Sequence, residues 1–403
     1  MKTRVVITGI GALSALGDNV PEMVENLNKE EVNYNEVPLD RFSTEHRMFR
    51  NNRGFMINHK IYNEALKKDP YMMPEITEKC INEALKDSEL VLEKIQKINT
   101  GLCLGTSVGS CFSTIQRIKK SVAGQGDDYK SGMFSTPKII GTIAKKFKLK
   151  GPVSAISTAC ASGTNSIGRA FDLIENGRAN IMIAGGVDLF TELTYTGFNS
   201  LFALSKTTCK PFSNSRDGMA LGDACGILIM ESLESAKERG AKIYAEIKGY
   251  HILNEGYHPT APHPEGKYAL KCMETVLSNS NIAIEDVQYI NAHGTGTPKN
   301  DSAEYKACES LLKDKKEKTF VGSTKCLTGH TLGAAGSIEA ILSVLSIKHN
   351  TLYGNYEADD LPESEKIDFV TSNKTGLSIN NILSNSFGFG GNMASILLSK
   401  YSN

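Results

Sequence analysis

Short runs of β-branched and aliphatic residues alternate along this chain with stretches whose apolar positions recur at helical spacing. Val5 to Thr8 predicts a strand, and Gly9, Gly11 and Gly17 then break the apolar opening. "VSAIS" (Val153 to Ser157) reads as a buried strand. Beyond Cys160, residues Ile167, Ala170, Phe171 and Ile174 fall at i, i+3, i+4 and i+7, which predicts a helix that Gly177 can end. "NIMIAGG" supplies the next strand, so Cys160 stands at the first junction of a strand–helix–strand unit. The second half is built alike. "VQYINAH" predicts a strand ending at His293, and "DSAEYKACESLLK" a helix opening on Asp301. "TFVGST" is a further strand, leading through "KCLTGHTLGAAG" into a helix with Ile338, Ile341, Leu342 and Leu345 at apolar spacing. The alternation predicts an α/β fold with functional groups at strand ends, where open α/β sheets place their ligand crevice.

Two segments, "RVVITGIGAL" from Arg4 and "YAEIKGYHIL" from Tyr244, share a strand–Gly–turn pattern and each opens a run of strands and helices. They predict a duplication, with halves 1–245 and 246–403. The stretch from roughly 30 to 75, rich in Asn, Lys and Met, reads as an irregular insertion or cap, and the three prolines of "YHPTAPHPEG" require a loop.

Bulk properties narrow the function classes. The 403 residues carry 45 basic and 45 acidic side chains, so a partner drawn by charge alone, nucleic acid or an anionic membrane surface, is not expected. Nine scattered cysteines without a CxxC pair argue against a disulfide framework or a zinc site and for a reducing compartment. No apolar run approaches the ~18 residues of a membrane span, and the apolar start lacks a cleavage signal. The expectation is a cytoplasmic protein without metal.

Four short segments hold the candidate chemistry. In "STACASG", Cys160 stands where a helix begins, among small uncharged neighbours. Unpaired amides and the helix dipole there favour thiolate, and Gly163, Ala161 and Ser162 would let a thioester approach. "NAHGTGT" ends a strand at His293 and adds Thr295 and Thr297. "STKCLTGHTLGAAG" sets Lys325 and His330 five apart, and the glycines of "SNSFGFGGN" can aim backbone N–H groups at an anion. A cysteine with two histidines fits a Cys–His hydrolase as well as a condensing enzyme.

Taken together, in this order and spacing, the four segments resemble the β-ketoacyl-acyl-carrier-protein synthases of the synthase II type. "RVVITGIGALS", "IMIAGGVD", "RDGMALGDACGILIM" and "ERGAKIYAEIKGY" extend the likeness along nearly the whole chain. The resemblance implies a thiolase-like α/β fold, two similar halves in a five-layer α-β-α-β-α sandwich. The first half would carry the nucleophile and the second the two histidines. It implies a decarboxylative Claisen condensation between an acyl group held on Cys160 and malonyl-acyl-carrier protein, in fatty-acid elongation. His293 and His330 would stabilise the enolate. Lys325 would support them, paired with Glu339. Thr295 and Thr297 would bind the phosphopantetheine arm that the carrier protein supplies, and no cofactor of the enzyme's own is implied. Phe389 would serve as gate and, with the Cys160 amide, as oxyanion hole; Phe387 and Val108 would bind substrate, Val108 at a position of the acyl pocket. The implied partners are acyl carrier protein and a second copy in a homodimer. Departures at "SLFALSKTTCKPFSNSRDG", at Glu255 in place of an aspartate and at Val108 keep open a ketosynthase of a type II polyketide or aryl-polyene pathway, in a heterodimer with a second ketosynthase-like subunit. A non-catalytic chain-length factor is disfavoured by the intact Cys160, His293 and His330.

Overall fold

A computed structural model describes residues 3–30, 33–38, 41, 49–68, 73–109, 111–124, 135–354 and 358–402. Its strands are β1 (Val5–Ser14), β2 (Tyr34–Glu36), β3 (Arg53–Phe55), β4 (Thr100–Gly105), β5 (Val153–Ile156), β6 (Ile181–Asp188), β7 (Ala224–Ser232), β8 (Ala245–Asn254), β9 (Tyr289–Asn291), β10 (Thr319–Gly322), β11 (Ile367–Phe369), β12 (Asn381–Gly388) and β13 (Asn392–Ser399). β2 and β3 form a small hairpin; the other eleven join in the order β11-β10-β9-β12-β13-β8-β1-β7-β6-β4-β5.

The order contains the same pattern twice. In the first half β5, β4 and β6 run parallel, and β7 and β1 follow antiparallel. In the second, β11, β10, β9 and β12 run parallel, and β13 and β8 follow antiparallel. The two halves meet where β1 pairs with β8, Val5 opposite Ile247. These are the two segments whose likeness the sequence displays.

Two helices, Ser162–Glu175 and Ala335–His349, lie between the halves of the sheet and form the middle layer. The second is buried from Ala335 through Ile347, on every side rather than along one stripe, as a helix enclosed by two sheets must be. Their apolar side chains share one core with β1, β7 and β12. Helices Met73–Asp87 and Thr136–Lys146 cover the outer face of the first half around Ile76, Ile81 and Ile143. Helices Lys267–Ser280 and Pro298–Leu312 cover the second around Met273, Val276 and Cys308. The result is the five-layer thiolase-like sandwich.

Three sequence expectations need correction. β5 is an edge strand, not a buried one: among the described residues no strand pairs with its outer side, and Val153 is 44% exposed. The stretch from 30 to 75 is more regular than an irregular cap. It contains the hairpin and the helix His59–Lys68, and the helix Met73–Asp87 begins within it, while 31–32, 39–40, 42–48 and 69–72 lie outside the described residues. The helix expected from Asp301 starts earlier, at Pro298, whose fixed φ suits a first turn. Among the described residues no helix is long and apolar enough to cross a membrane.

Candidate active site

The site lies where the chain leaves β5, β9 and β12. Past β5, Ala159 takes a left-handed conformation (φ 50°) that a side chain with a Cβ adopts only under constraint. Ser162 supplies that constraint. Its hydroxyl accepts from the Thr158 N–H (2.8 Å) and donates to the Ala159 carbonyl (2.6 Å), while Asn165 donates to the Thr158 hydroxyl (2.8 Å). The tight turn holds Cys160 at the mouth of the helix Ser162–Glu175, almost fully buried.

Small neighbours were expected to admit substrate, but their use is different. Ala161 and Ser162 are completely buried, and a Cβ on Gly163 would lie 2.8 Å from the Ser337 amide and 2.9 Å from the Gly333 carbonyl. Their small size lets the helix after Cys160 pack against the start of the helix Ala335–His349. The expected thiolate is corrected too. Burial pushes the Cys160 thiol up to about 12, against which the Lys325 charge and the Phe389 amide pull only partly. The resting group is a thiol.

His330 Nε2 lies 3.0 Å from Cys160 Sγ, and the His293 ring stands edge-on to it, 5.4 Å between centroids. Lys325 Nζ is 3.1 Å from His293 Nδ1 and donates as well to Glu339; both members of that ion pair are buried. A lysine ammonium only donates, so His293 Nδ1 accepts and its proton sits on Nε2. His330 Nδ1 has no hydrogen-bond partner among the described residues, so its contacts do not tie the proton to one nitrogen. Burial, and then the Lys325 charge, hold both imidazoles well below their usual range, so both are neutral.

The backbone around His293 is held by a carboxylate that sequence reasoning missed. Glu304 accepts from the His293 and Gly294 amides (2.8 Å each) and from Asn385 Nδ2 (3.1 Å), and burial raises it to about 7. Asp301, one turn earlier, accepts from the Gly296 and Phe212 amides. Two carboxylates at i and i+3 opening a helix just after "HGTGT" were the available signal. Between them the turn presents Thr295 and Thr297, hydroxyls 2.8 Å apart.

Cys160, His293, His330, Thr295, Thr297, Phe387 and Phe389 line one cavity of about 300 Å³. Phe389 sits at the end of β12, its ring 5.7 Å from that of Phe198, followed by Gly390 and Gly391 with φ near 80°. Glu255 lines the same cavity and holds the turn after Phe389: its amide donates to the Gly391 carbonyl (3.0 Å) and its carboxylate accepts from the His263 amide (3.2 Å). Val108 is not in the lining. It packs in an apolar cluster with Leu204 and Leu221, of which Phe198, Ala203 and Met219 reach the cavity wall. No group of three or more His, Cys, Asp or Glu among the described residues is arranged to hold a metal.

The N-terminal domain model of β-ketoacyl synthases matches residues 2–236, and the C-terminal domain model matches 244–359. A 3-oxoacyl-[acyl-carrier-protein] synthase 2 of Staphylococcus aureus (strain COL) is 38% identical, covering 99% of this chain and 98% of its own. The ishigamide ketosynthase/chain length factor superposes with a TM-score of 0.91 at 26% identity over the full length of both chains. A type II polyketide ketosynthase solved with its acyl-carrier protein, bound to a hexaketide, does so with a TM-score of 0.88 at 28% identity, again over both full lengths. With both domain models matched and a near full-length relative at 38% identity, this chain belongs to the β-ketoacyl synthase family.

Proposed function

We propose that this chain elongates acyl groups on an acyl carrier protein by decarboxylative condensation, as its 3-oxoacyl-[acyl-carrier-protein] synthase 2 relatives are named to do, with Cys160 as nucleophile. The observation that carries the reading is the contact of 3.0 Å between Cys160 Sγ and His330 Nε2 beside a second, differently held imidazole. In the first step the Cys160 sulfur attacks the acyl thioester carbonyl. Its proton passes to His330 and on to the departing pantetheine thiol, and the acyl group stays on Cys160. The Cys160 and Phe389 amides act on the oxyanion that forms.

In the second step malonyl-carrier protein enters, its arm beside Thr295 and Thr297. The bond to its carboxylate breaks and CO₂ leaves. The freed electron pair, held as an enolate by the neutral N–H donors of His293 and His330, attacks the acyl carbonyl. Cys160 departs as thiolate and regains a proton from solvent, leaving β-ketoacyl-carrier protein. Lys325, ion-paired with Glu339, fixes the His293 proton on Nε2. Phe387 flanks the His293 ring, Phe389 gates the entrance and Val108 acts on the acyl pocket through the cluster behind Phe198. The phosphopantetheine arm is the carrier protein's. The division of labour follows the halves 1–245 and 246–403, nucleophile in one and histidines in the other.

Acyl- and malonyl-carrier protein supplied together should give CO₂ and β-ketoacyl product one to one; no product with any acyl donor would sink the reading. The type II polyketide alternative draws on the two ketosynthase neighbours. Preference for polyenoic over saturated donors, or activity only with a second ketosynthase-like subunit, would favour it.

The edge of β5, with which no further strand pairs among the described residues, fits a homodimer, since such an edge is a ready template for a second chain. Val153→Lys should shift the protein from dimer to monomer in sedimentation velocity. An unchanged dimer would place the interface elsewhere.

A further inference from the structure

One buried carboxylate takes no part in the mechanism above. Asp188 ends β6, 2% exposed, and four donors from two distant parts of the chain converge on it. Oδ1 accepts from the Thr106 hydroxyl and the Val108 amide (3.1 Å), and Oδ2 from the Ser107 (2.7 Å) and Gly333 (2.6 Å) amides. Thr106 to Val108 follow β4, in the half that carries Cys160. Gly333 belongs to the turn three residues beyond His330.

That turn is constrained throughout. Leu332, before Gly333, has φ 53°, an uncommon conformation for a branched side chain. A Cβ on Gly333 would lie 2.4 Å from the Ser107 amide and 2.6 Å from Asp188 Oδ2, so the two backbones touch. The Gly333 carbonyl faces Gly163 on the nucleophile's helix, where a Cβ would come within 2.9 Å. His330 is itself tied by its own amide and carbonyl to Ala220 and Gly222. Asp188 is therefore the side chain that links the ends of β4 and β6 to the far side of the His330 turn.

Resting on the roles given above to Cys160 and His330, we infer that Asp188 is a positioning residue: its carboxylate clamps the turn after His330 to the nucleophile's half of the molecule and sets the His330–Cys160 alignment. Its direct partners are three amides and one hydroxyl, all donors, which only an unprotonated carboxylate satisfies in full. Burial raises it to about 6, so the clamp releases in mild acid. The charges that act on Cys160 are Lys325, Asp188 itself and Glu339, Lys325 acts on His330 as well, and the His293 and His330 imidazoles act on each other; Glu304 holds the His293 backbone.

The test is the rate of Cys160 alkylation by iodoacetamide, read by peptide mass spectrometry from pH 5 to 9, which needs no acyl donor. In the wild type, log rate against pH should steepen below about pH 6 as the clamp opens. The Asp188 charge alone works the other way, because it raises the thiol; its loss without misalignment would make the profile shallower. Asp188→Asn should be alkylated roughly ten- to a hundredfold more slowly at pH 8, as misplacing a group by ~1 Å does, with no break in the profile. Thr106→Val keeps the carboxylate but removes a hydrogen bond that lowers its pKa, so the break should move upward. Asp188→Asn reacting as fast as wild type or faster, or Thr106→Val with an unmoved break, overturns the inference. Should Asp188→Asn fail to fold, the Thr106→Val profile decides alone. Failure of the wild type to condense any acyl donor would count against the proposed function and leave the alkylation result standing.

Discussion

Replacing Cys160 by Gln should abolish β-ketoacyl formation, a loss on the order of 10⁶ as for removal of an acyl-accepting nucleophile elsewhere, while decarboxylation of malonyl-carrier protein continues. An amide cannot take up the acyl group, so nothing remains for the enolate to attack. Decarboxylation asks something different of the site: donors at the malonyl thioester oxygen, which His293 and His330 provide. A neutral side chain in place of a neutral thiol leaves the charges around both imidazoles as they were. CO₂ release and product are measured separately on the same samples. Loss of both activities would show that the thiol takes part in decarboxylation and would refute the separation of roles.

His293→Ala should lower condensation by on the order of 10²–10³, the cost of one oxyanion donor. Acyl transfer to Cys160 should change by less than about tenfold, because His330, not His293, contacts the sulfur. The split identifies the role, since a merely structural defect would slow both steps. Lys325→Ala is a harsher change. It releases the His293 tautomer and leaves the Glu339 carboxylate buried without its cation, the kind of disruption that costs about 3–5 kcal/mol. His293→Ala is therefore the cleaner probe. Single-turnover measurements of acyl loading and of product formation separate the two steps; equal slowing of both would contradict the assignment.

The fold was largely legible because its signals are local. Apolar spacing after Cys160 and before His349 marks the two central helices, and the likeness of the segments at Arg4 and Tyr244 marks the strands that join the halves. What escaped depends on distant parts of the chain meeting. Val153 is as apolar as a buried strand residue, and its position at the sheet edge is a property of strand order. Gly163 and its neighbours invite a reading as room for substrate because the Ala335–His349 helix they pack against lies more than 160 residues away. Glu304 and Asp188 look like ordinary acidic residues until the backbone amides they accept from are brought to them. The thiol's state was misread for the same reason: the helix start is visible in sequence, whereas burial is not.

The most direct measurement of the central claim is peptide-level mass spectrometry of the protein after incubation with acyl-carrier protein, followed by a malonyl-carrier protein chase. The account predicts one acyl group per chain as a thioester on Cys160, discharged by malonyl-carrier protein with an equal amount of β-ketoacyl product. An acyl group on another residue, or one on Cys160 that malonyl-carrier protein cannot discharge, would contradict it.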